Sequence, residues 1–162
     1  MTDATTSDAT GTWNRYGFHL GNDFFDYPHL GVWPDAYTMS MNVFNSAGTA
    51  FLGPQPFAFN RAAMLAGTAA TFVTTRDTSV FNPANDSLLP ADLDGSTLPP
   101  AGAPAPFLMS GTAATWKIWR YHADFATPGN STFTLGGNLT PAAYTEVCSG
   151  AWMNVFTALP SV

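Results

Sequence analysis

The chain has 162 residues, a usual size for one domain, and its 14 Gly and 13 Pro beside a single Glu, Lys and Gln argue against a helix-rich protein. Its net charge of -6 rests on 11 acidic and 5 scattered basic residues, whereas nucleic acids and acidic membrane surfaces attract basic patches. Aromatic residues make up 14% of the chain, too many for a disordered protein, and no apolar run reaches the roughly 18 residues of a membrane span. We therefore expect a globular, mostly β protein with neither a nucleic-acid partner nor a membrane span.

The N-terminal part begins with small polar residues, so we expect residues 1–12 to form a flexible lead-in unless they pair with a sheet edge. From Trp13 to Leu20, large and polar residues alternate, which is typical of a strand. The segment 21–28 then interrupts this pattern with Gly, Asn and Pro. Two further extended stretches, 29–33 and 36–44, flank a break at Pro34-Asp35, and a hairpin turn is expected at 45–48.

The middle of the chain carries the one good helix signal. Pro54 and Pro56 place the stretch 51–59 at a sheet edge or limit its pairing, because proline donates no hydrogen bond to a ladder. Asn60 then precedes RAAMLAG, a short helical turn for which it is a suitable N-cap and Gly67 a suitable stop. The stretch 68–75 is strand-like.

The second half starts with a long segment that is rich in Pro, Gly and Asp. We predict that Leu88 to Pro106 is ordered in spite of this composition, because several leucines and Phe107 give it apolar anchors. A hairpin is expected from PFLMSG to TWKIWRYHADF, followed by a turn and a last strand in TFTLGGNLT.

These elements predict an all-β fold of antiparallel sheets, about two blades of a β-propeller-like architecture with long ordered loops. The domain would cover 13–147, with units at about 13–75 and 76–147. The remainder, 148–162, would be a C-terminal tail or the start of a further unit. Because two blades cannot close a ring, the chain is expected to self-associate or to take its remaining blades from a longer polypeptide.

Four blocks in one order carry a resemblance: DYPHLGVWPDAYTMSMNVF, AFNRAAMLAG, LLPADLDGSTLPPAGAPAPF and a Trp-rich strand leading to TPGNST. Over roughly residues 11 to 148 the chain resembles a family of uncharacterised secreted bacterial proteins with propeller-like repeats, of which it looks like a partial member. The resemblance implies a fold and an extracellular or cell-surface location, although this sequence shows no signal peptide. It implies no particular reaction.

The first candidate ligand site combines two carboxylates with two aromatic rings. Asp26, Tyr27, Trp33 and Asp35 lie within ten positions, and a sugar site needs both hydrogen-bonding carboxylates and aromatic faces. In the alternative interpretation the two aspartates cap turns and Trp33 belongs to the core.

A second candidate is the strand that contains Trp119 and Tyr121, which share one face. That face is either core or, if the opposite face of the strand is core, an interblade contact or a ligand platform. Asp92 and Asp94 precede Gly95 as in part of a calcium loop, so calcium is the one cofactor considered, although a structural turn needs no ion. Cys148 is expected to be a free thiol or to pair outside this chain.

Two functions remain. The favoured one is a non-catalytic module of a secreted or cell-surface propeller protein, binding carbohydrate or another protein. The alternative is a propeller-type carbohydrate-active enzyme, similar to glycoside hydrolases, that uses paired carboxylates among Asp26, Asp35, Asp92 and Asp94.

Overall fold

The computed structural model describes residues 1–85, 88–112 and 115–142. Within these residues, ten strands form three antiparallel sheets and the single α-helix has five residues, which confirms the all-β class. No helix in this part of the chain has the length and hydropathy that a membrane crossing needs. The predictions for Cys148 and for 148–162 fall outside the described residues.

The N-terminal ribbon is a two-stranded sheet. Strand β1 (Thr2–Ala4) pairs with β2 (Trp13–Arg15), so part of the expected lead-in is held in a sheet. Sheet pairing stops at Arg15, which is earlier than the predicted strand end at Leu20. The predicted alternation nevertheless holds, because the partly buried side chains of the stretch are those of Asn14 and, further along, of Tyr16, Phe18 and Leu20.

The first meander consists of β3 (Phe24–Val32), β4 (Ala36–Phe44), β5 (Phe51–Asn60) and β6 (Phe72–Thr74), paired in that order. The expectation that 21–28 interrupts the strand is wrong for its second half, since β3 continues through Pro28. Pro28 is tolerated because β3 is an edge strand, and the ladder shifts register between Asp26 and His29.

Strand β5 shows how the sheet accommodates its prolines. It is an inner strand, but β6 pairs only with the segment Phe57 to Phe59. Pro54 and Pro56 therefore have a paired strand on one side only, opposite Asn42 and Ser40 of β4. The predicted limit on pairing is confirmed.

The predicted helical turn is α1 (Arg61–Leu65). The Asn60 side chain accepts a hydrogen bond from the Ala63 amide at 3.0 Å, which confirms it as the N-cap. Gly67 follows the helix at a φ of 69° and donates its amide proton to the Met64 carbonyl. The helix thus ends where the glycine predicts.

The second meander consists of β7 (Leu88–Pro90), β8 (Ala105–Thr112), β9 (Thr115–His122) and β10 (Thr132–Leu139). The predicted hairpin is confirmed by the pairing of β8 with β9, and a 3-10 turn at Pro128–Asn130 leads into β10. The two units expected at about 13–75 and 76–147 each contain one meander.

The first meander is the middle layer of the molecule. One face carries small side chains, among them Ala36, Ser40 and Ala58, and β7 lies over it, with the Ser40 hydroxyl donating to the Leu88 carbonyl. The other face is aromatic and is covered by the N-terminal segment and α1. The core between the meanders contains the following buried side chains: Trp33, Val73, Val80, Leu88, Phe107, Met109, Trp119 and Tyr121.

Candidate functional site

The edge strand β3 carries an irregular segment with unusual backbone geometry. At the register shift, Tyr27 adopts a φ of 54°, and it is the only described residue other than glycine with a positive φ. Its amide donates a 2.8 Å hydrogen bond to Oδ1 of the preceding Asp26. A left-handed conformation costs a tyrosine free energy, and strained positions of this kind are concentrated at functional sites.

The Tyr27 side chain is half exposed, at 52%, although it is large and aromatic. Its ring meets the imidazole of His29 edge to face, with the ring centroids 4.3 Å apart. The Nε2 atom of His29 is buried and makes no hydrogen bond within the described structure. We call Asp26, Tyr27 and His29 the bulge site.

Trp33 and Asp35 line a different feature, a cleft of about 240 Å³ between the β3–β4 turn and residues 98–103. Only 8% of Trp33 is exposed, and its indole nitrogen donates a 2.8 Å hydrogen bond to the Ala103 carbonyl. Trp33 therefore belongs largely to the core, in agreement with the alternative to a sugar site that the sequence left open. Asp35 is exposed at the rim of the cleft.

The structure separates the two carboxylates that the sequence placed together. Asp26 lies opposite Asn42, and Asp35 precedes Ala36 at the other end of β4. Six steps along an extended strand amount to roughly 20 Å. Catalytic carboxyl pairs of glycosidases lie about 5 to 9 Å apart, so Asp26 and Asp35 do not form such a pair.

Trp119 and Tyr121 lie in the core between the meanders, where 4% and 3% of their surfaces are exposed. Trp119 stacks on Phe133 at 5.3 Å, and burial raises the pKa of Tyr121 well above its ordinary value. This face of β9 is therefore part of the core, and neither ring is accessible to a ligand. The platform interpretation failed because sequence alternation shows which side chains share a face but not which face is covered.

Asp92 is hydrogen-bonded to β3, the edge strand of the first meander. Its Oδ1 atom accepts a 2.8 Å hydrogen bond from the Val32 amide, and the Leu93 amide donates to the Val32 carbonyl at 3.2 Å. Asp94 is exposed and makes no hydrogen bond with the described residues. Among all the residues that the structure describes, no three His, Cys, Asp or Glu side chains lie close enough together to hold a metal ion. The role of Asp92 is therefore explained by a structural turn, and this explanation needs no bound ion.

A polar cluster that the sequence analysis missed joins the N-terminal ribbon to the first meander. The Tyr37 hydroxyl donates a 2.5 Å hydrogen bond to Oδ1 of Asp3, and the Arg61 guanidinium lies 5.7 Å from the centre of the Tyr37 ring. Asp3, Tyr37 and Arg61 are far apart in sequence and match no motif. No signal in a single sequence could have grouped them.

Comparisons of the chain with protein-family models, with curated proteins and with solved structures find no match.

Proposed function

We propose that the chain is a non-catalytic module that binds carbohydrate at the bulge site. The observation that carries the proposal is Tyr27, a half-exposed aromatic residue held at a strained φ on an edge strand. Glycine would adopt this φ without strain, so a tyrosine at this position favours a role for its ring.

The chemistry around the ring suits a sugar. An aromatic face packs against the C–H face of a pyranose, while carboxylates and imidazoles exchange hydrogen bonds with its hydroxyls. Oδ2 of the exposed Asp26 makes no hydrogen bond with the described residues, so it can accept one from a sugar hydroxyl. Stacking would therefore come from Tyr27 and polar contacts from Asp26, while His29 packs against the Tyr27 ring and supports it.

We further propose that the two meanders are blades of a propeller-like assembly in a secreted or cell-surface protein. Each meander is a four-stranded antiparallel sheet whose strands pair in chain order, which is the construction of a propeller blade. The resemblance to secreted bacterial proteins with such repeats supports the same arrangement. Further blades would come from other copies or from a longer chain.

We favour binding over catalysis at the bulge site because Asp26 is far from Asp35, and also from Asp92, which bonds the Val32 amide at the end of β3. With roughly 20 Å between them, one carboxylate cannot protonate a leaving group while the other attacks or activates water at the same sugar ring. A binding module requires neither step.

The test is a glycan array with the full chain, followed by titration of the best ligand against Tyr27→Gly. This substitution removes the ring and also relieves the strained φ, so the free energy of unfolding should stay within about 1 kcal/mol of the parent value. Affinity should fall at least about tenfold, since a central aromatic contact is lost.

Phe24→Ala is the matched control, because Phe24 is 49% exposed on the same strand but lies outside the bulge site. It should leave the affinity unchanged. The proposal would be overturned if no glycan bound, or if Tyr27→Gly and Phe24→Ala weakened binding equally.

A further inference from the structure

Asp94 and Gly95 lie at an exposed bend of the long segment between β7 and β8. Both residues are exposed to solvent, and Gly95 has a φ of 90°. A Cβ placed on Gly95 would meet nothing within 4 Å, so the space around it is open. Asp94 is also the one aspartate of the chain that is followed by glycine.

The reactive groups of this pair are unoccupied. Neither the Asp94 carboxyl nor the Gly95 amide makes a hydrogen bond with the described residues. A backbone nitrogen attacks the carboxyl carbon of the preceding residue only when the two atoms can approach each other. Glycine hinders that approach least, because it has no side chain and its backbone reaches conformations closed to other residues. Asp94 and Gly95 therefore meet the requirements for ring closure between a side chain and the main chain.

The other described aspartates are held in ways that oppose this attack. Hydrogen bonds or an ion pair engage the carboxylates of Asp3, Asp8, Asp23, Asp26, Asp77, Asp92 and Asp124. Asp35 is the remaining described one, and its carboxylate is exposed and unbonded like that of Asp94. However, the next residue, Ala36, is only 2% exposed and is already paired with Asn60 in β4. Asp35 thus provides a natural comparison for Asp94.

We propose that Asp94 is a site of spontaneous isomerisation to isoaspartate. In the first step, the Gly95 nitrogen attacks the γ-carbon of the Asp94 carboxylic acid and forms a C–N bond. The C–O bond to the carboxyl hydroxyl breaks, and this hydroxyl leaves with the amide proton as water, which gives a succinimide ring. Water then opens the ring at one of its two carbonyls. Opening at the γ-carbonyl restores aspartate, whereas opening at the α-carbonyl gives isoaspartate, so water is the one co-reactant.

The modification changes the path of the main chain but neither its mass nor its charge. The main chain then runs through the former side chain, which adds one carbon between residues 94 and 95. Hydrogen bonds fix the segment on both sides of this point, from the Leu93 amide to the Val32 carbonyl and from the Trp33 indole to the Ala103 carbonyl. Lengthening an exposed loop between such anchors costs little free energy, so the modified chain should keep its fold.

Isoaspartate at position 94 would also give the chain a class of enzyme partner. Its free α-carboxylate is the group that isoaspartate-specific methyltransferases esterify, and the bend presents this group to solvent. The site is separate from the bulge site, and the proposal does not depend on carbohydrate binding.

The test is to age the full chain for several weeks in neutral buffer at body temperature. Total isoaspartate is measured as labelled methyl groups that an isoaspartate-specific methyltransferase transfers from S-adenosylmethionine. Peptide mapping with electron-transfer fragmentation assigns the isoaspartate to a residue. The amount at position 94 should exceed that at position 35 by at least about tenfold, because only Asp94 has a free carboxyl beside an unhindered amide.

Two substitutions at position 94 test ring closure directly. Asp94→Glu keeps the charge but must close a larger ring, which forms more slowly, so the methyl groups assigned to position 94 should be lost. Asp94→Asn closes the same ring and releases ammonia instead of water, so isoaspartate should accumulate faster than in the parent. Asp35→Glu is the matched control, since Asp35 is also exposed and unbonded, and its total isoaspartate should equal that of the parent.

Three results would overturn the proposal. The first is an aged parent chain whose isoaspartate at position 94 does not exceed that at position 35. The second is unchanged methyl transfer to Asp94→Glu. The third is a total that falls as far in Asp35→Glu as in Asp94→Glu.

Discussion

At the scale of single residues, Gly31 shows how closely the layers approach. A Cβ at this position would lie 2.4 Å from the Ala91 carbonyl oxygen and 2.9 Å from the Thr38 hydroxyl. Because the nearest atom belongs to the backbone, relief requires a shift of the segment that carries Asp92. We expect Gly31→Ala to lower the free energy of unfolding by about 1 to 3 kcal/mol, measured by urea denaturation.

Gly17→Ala provides the comparison, since a Cβ there would meet nothing within 4 Å. Its urea midpoint should equal or slightly exceed that of the parent, because alanine reduces the freedom of the unfolded chain. Equal urea midpoints for Gly31→Ala and Gly17→Ala would show that a Cβ at position 31 does not clash with Ala91.

At the scale of elements, the long segment from Leu88 to Pro106 is tied to both meanders. The Ala91 amide donates to the Pro106 carbonyl at 2.9 Å, and Leu93 and Asp92 bond both backbone polar groups of Val32. We expect the amides of Ala91, Leu93 and Val32 to exchange slowly with deuterium, because opening them requires the segment to leave the sheet edge.

Gly95 and the exposed Ser96 provide the internal reference, since they make no such bonds and should exchange quickly. Asp92→Ala should speed exchange at Val32, whereas Asp94→Ala should not. Fast exchange throughout Leu88 to Pro106 would show that the segment is not ordered.

At the scale of the whole molecule, the outer surface of the second meander favours association. Leu89, Pro106, Leu108 and Ile118 belong to the lining of an apolar groove of about 320 Å³ on this surface. Only 10% of the residues of the chain are charged, so few charges oppose contact between copies. Light scattering should give a molar mass above 17.2 kDa that rises with concentration.

Leu89→Lys should lower that mass toward the monomer value, because it places a charge in the groove. Leu98→Lys is the control; Leu98 is 67% exposed but lies outside the strands. A parent chain that stays monomeric at high concentration would contradict both the association and the incomplete-propeller interpretation.

The parts of the fold that the sequence predicts are those with local causes. Alternation identified the inward side chains from Tyr16 to Leu20, and Asn60 identified the helix start, because both signals lie within a few neighbouring residues. The bulge at Tyr27 was missed since nothing in a lone tyrosine predicts a positive φ. The pairing of β1 with β2 and the contact of Asp3 with Tyr37 depend on backbone and tertiary geometry, which a single sequence does not encode in any readable pattern.

The order of strands within each meander bears on how the chain folds. Every strand pairs with its neighbour in sequence, so each sheet can close through successive hairpins, with a modest loss of chain entropy at each step. Contacts between the meanders, such as Ser40 with Leu88, span many more residues and gain stability only once both sheets exist. The small side chains of the first meander thus let two preformed sheets dock without rearranging large groups, and during synthesis the first sheet can form before the second leaves the ribosome.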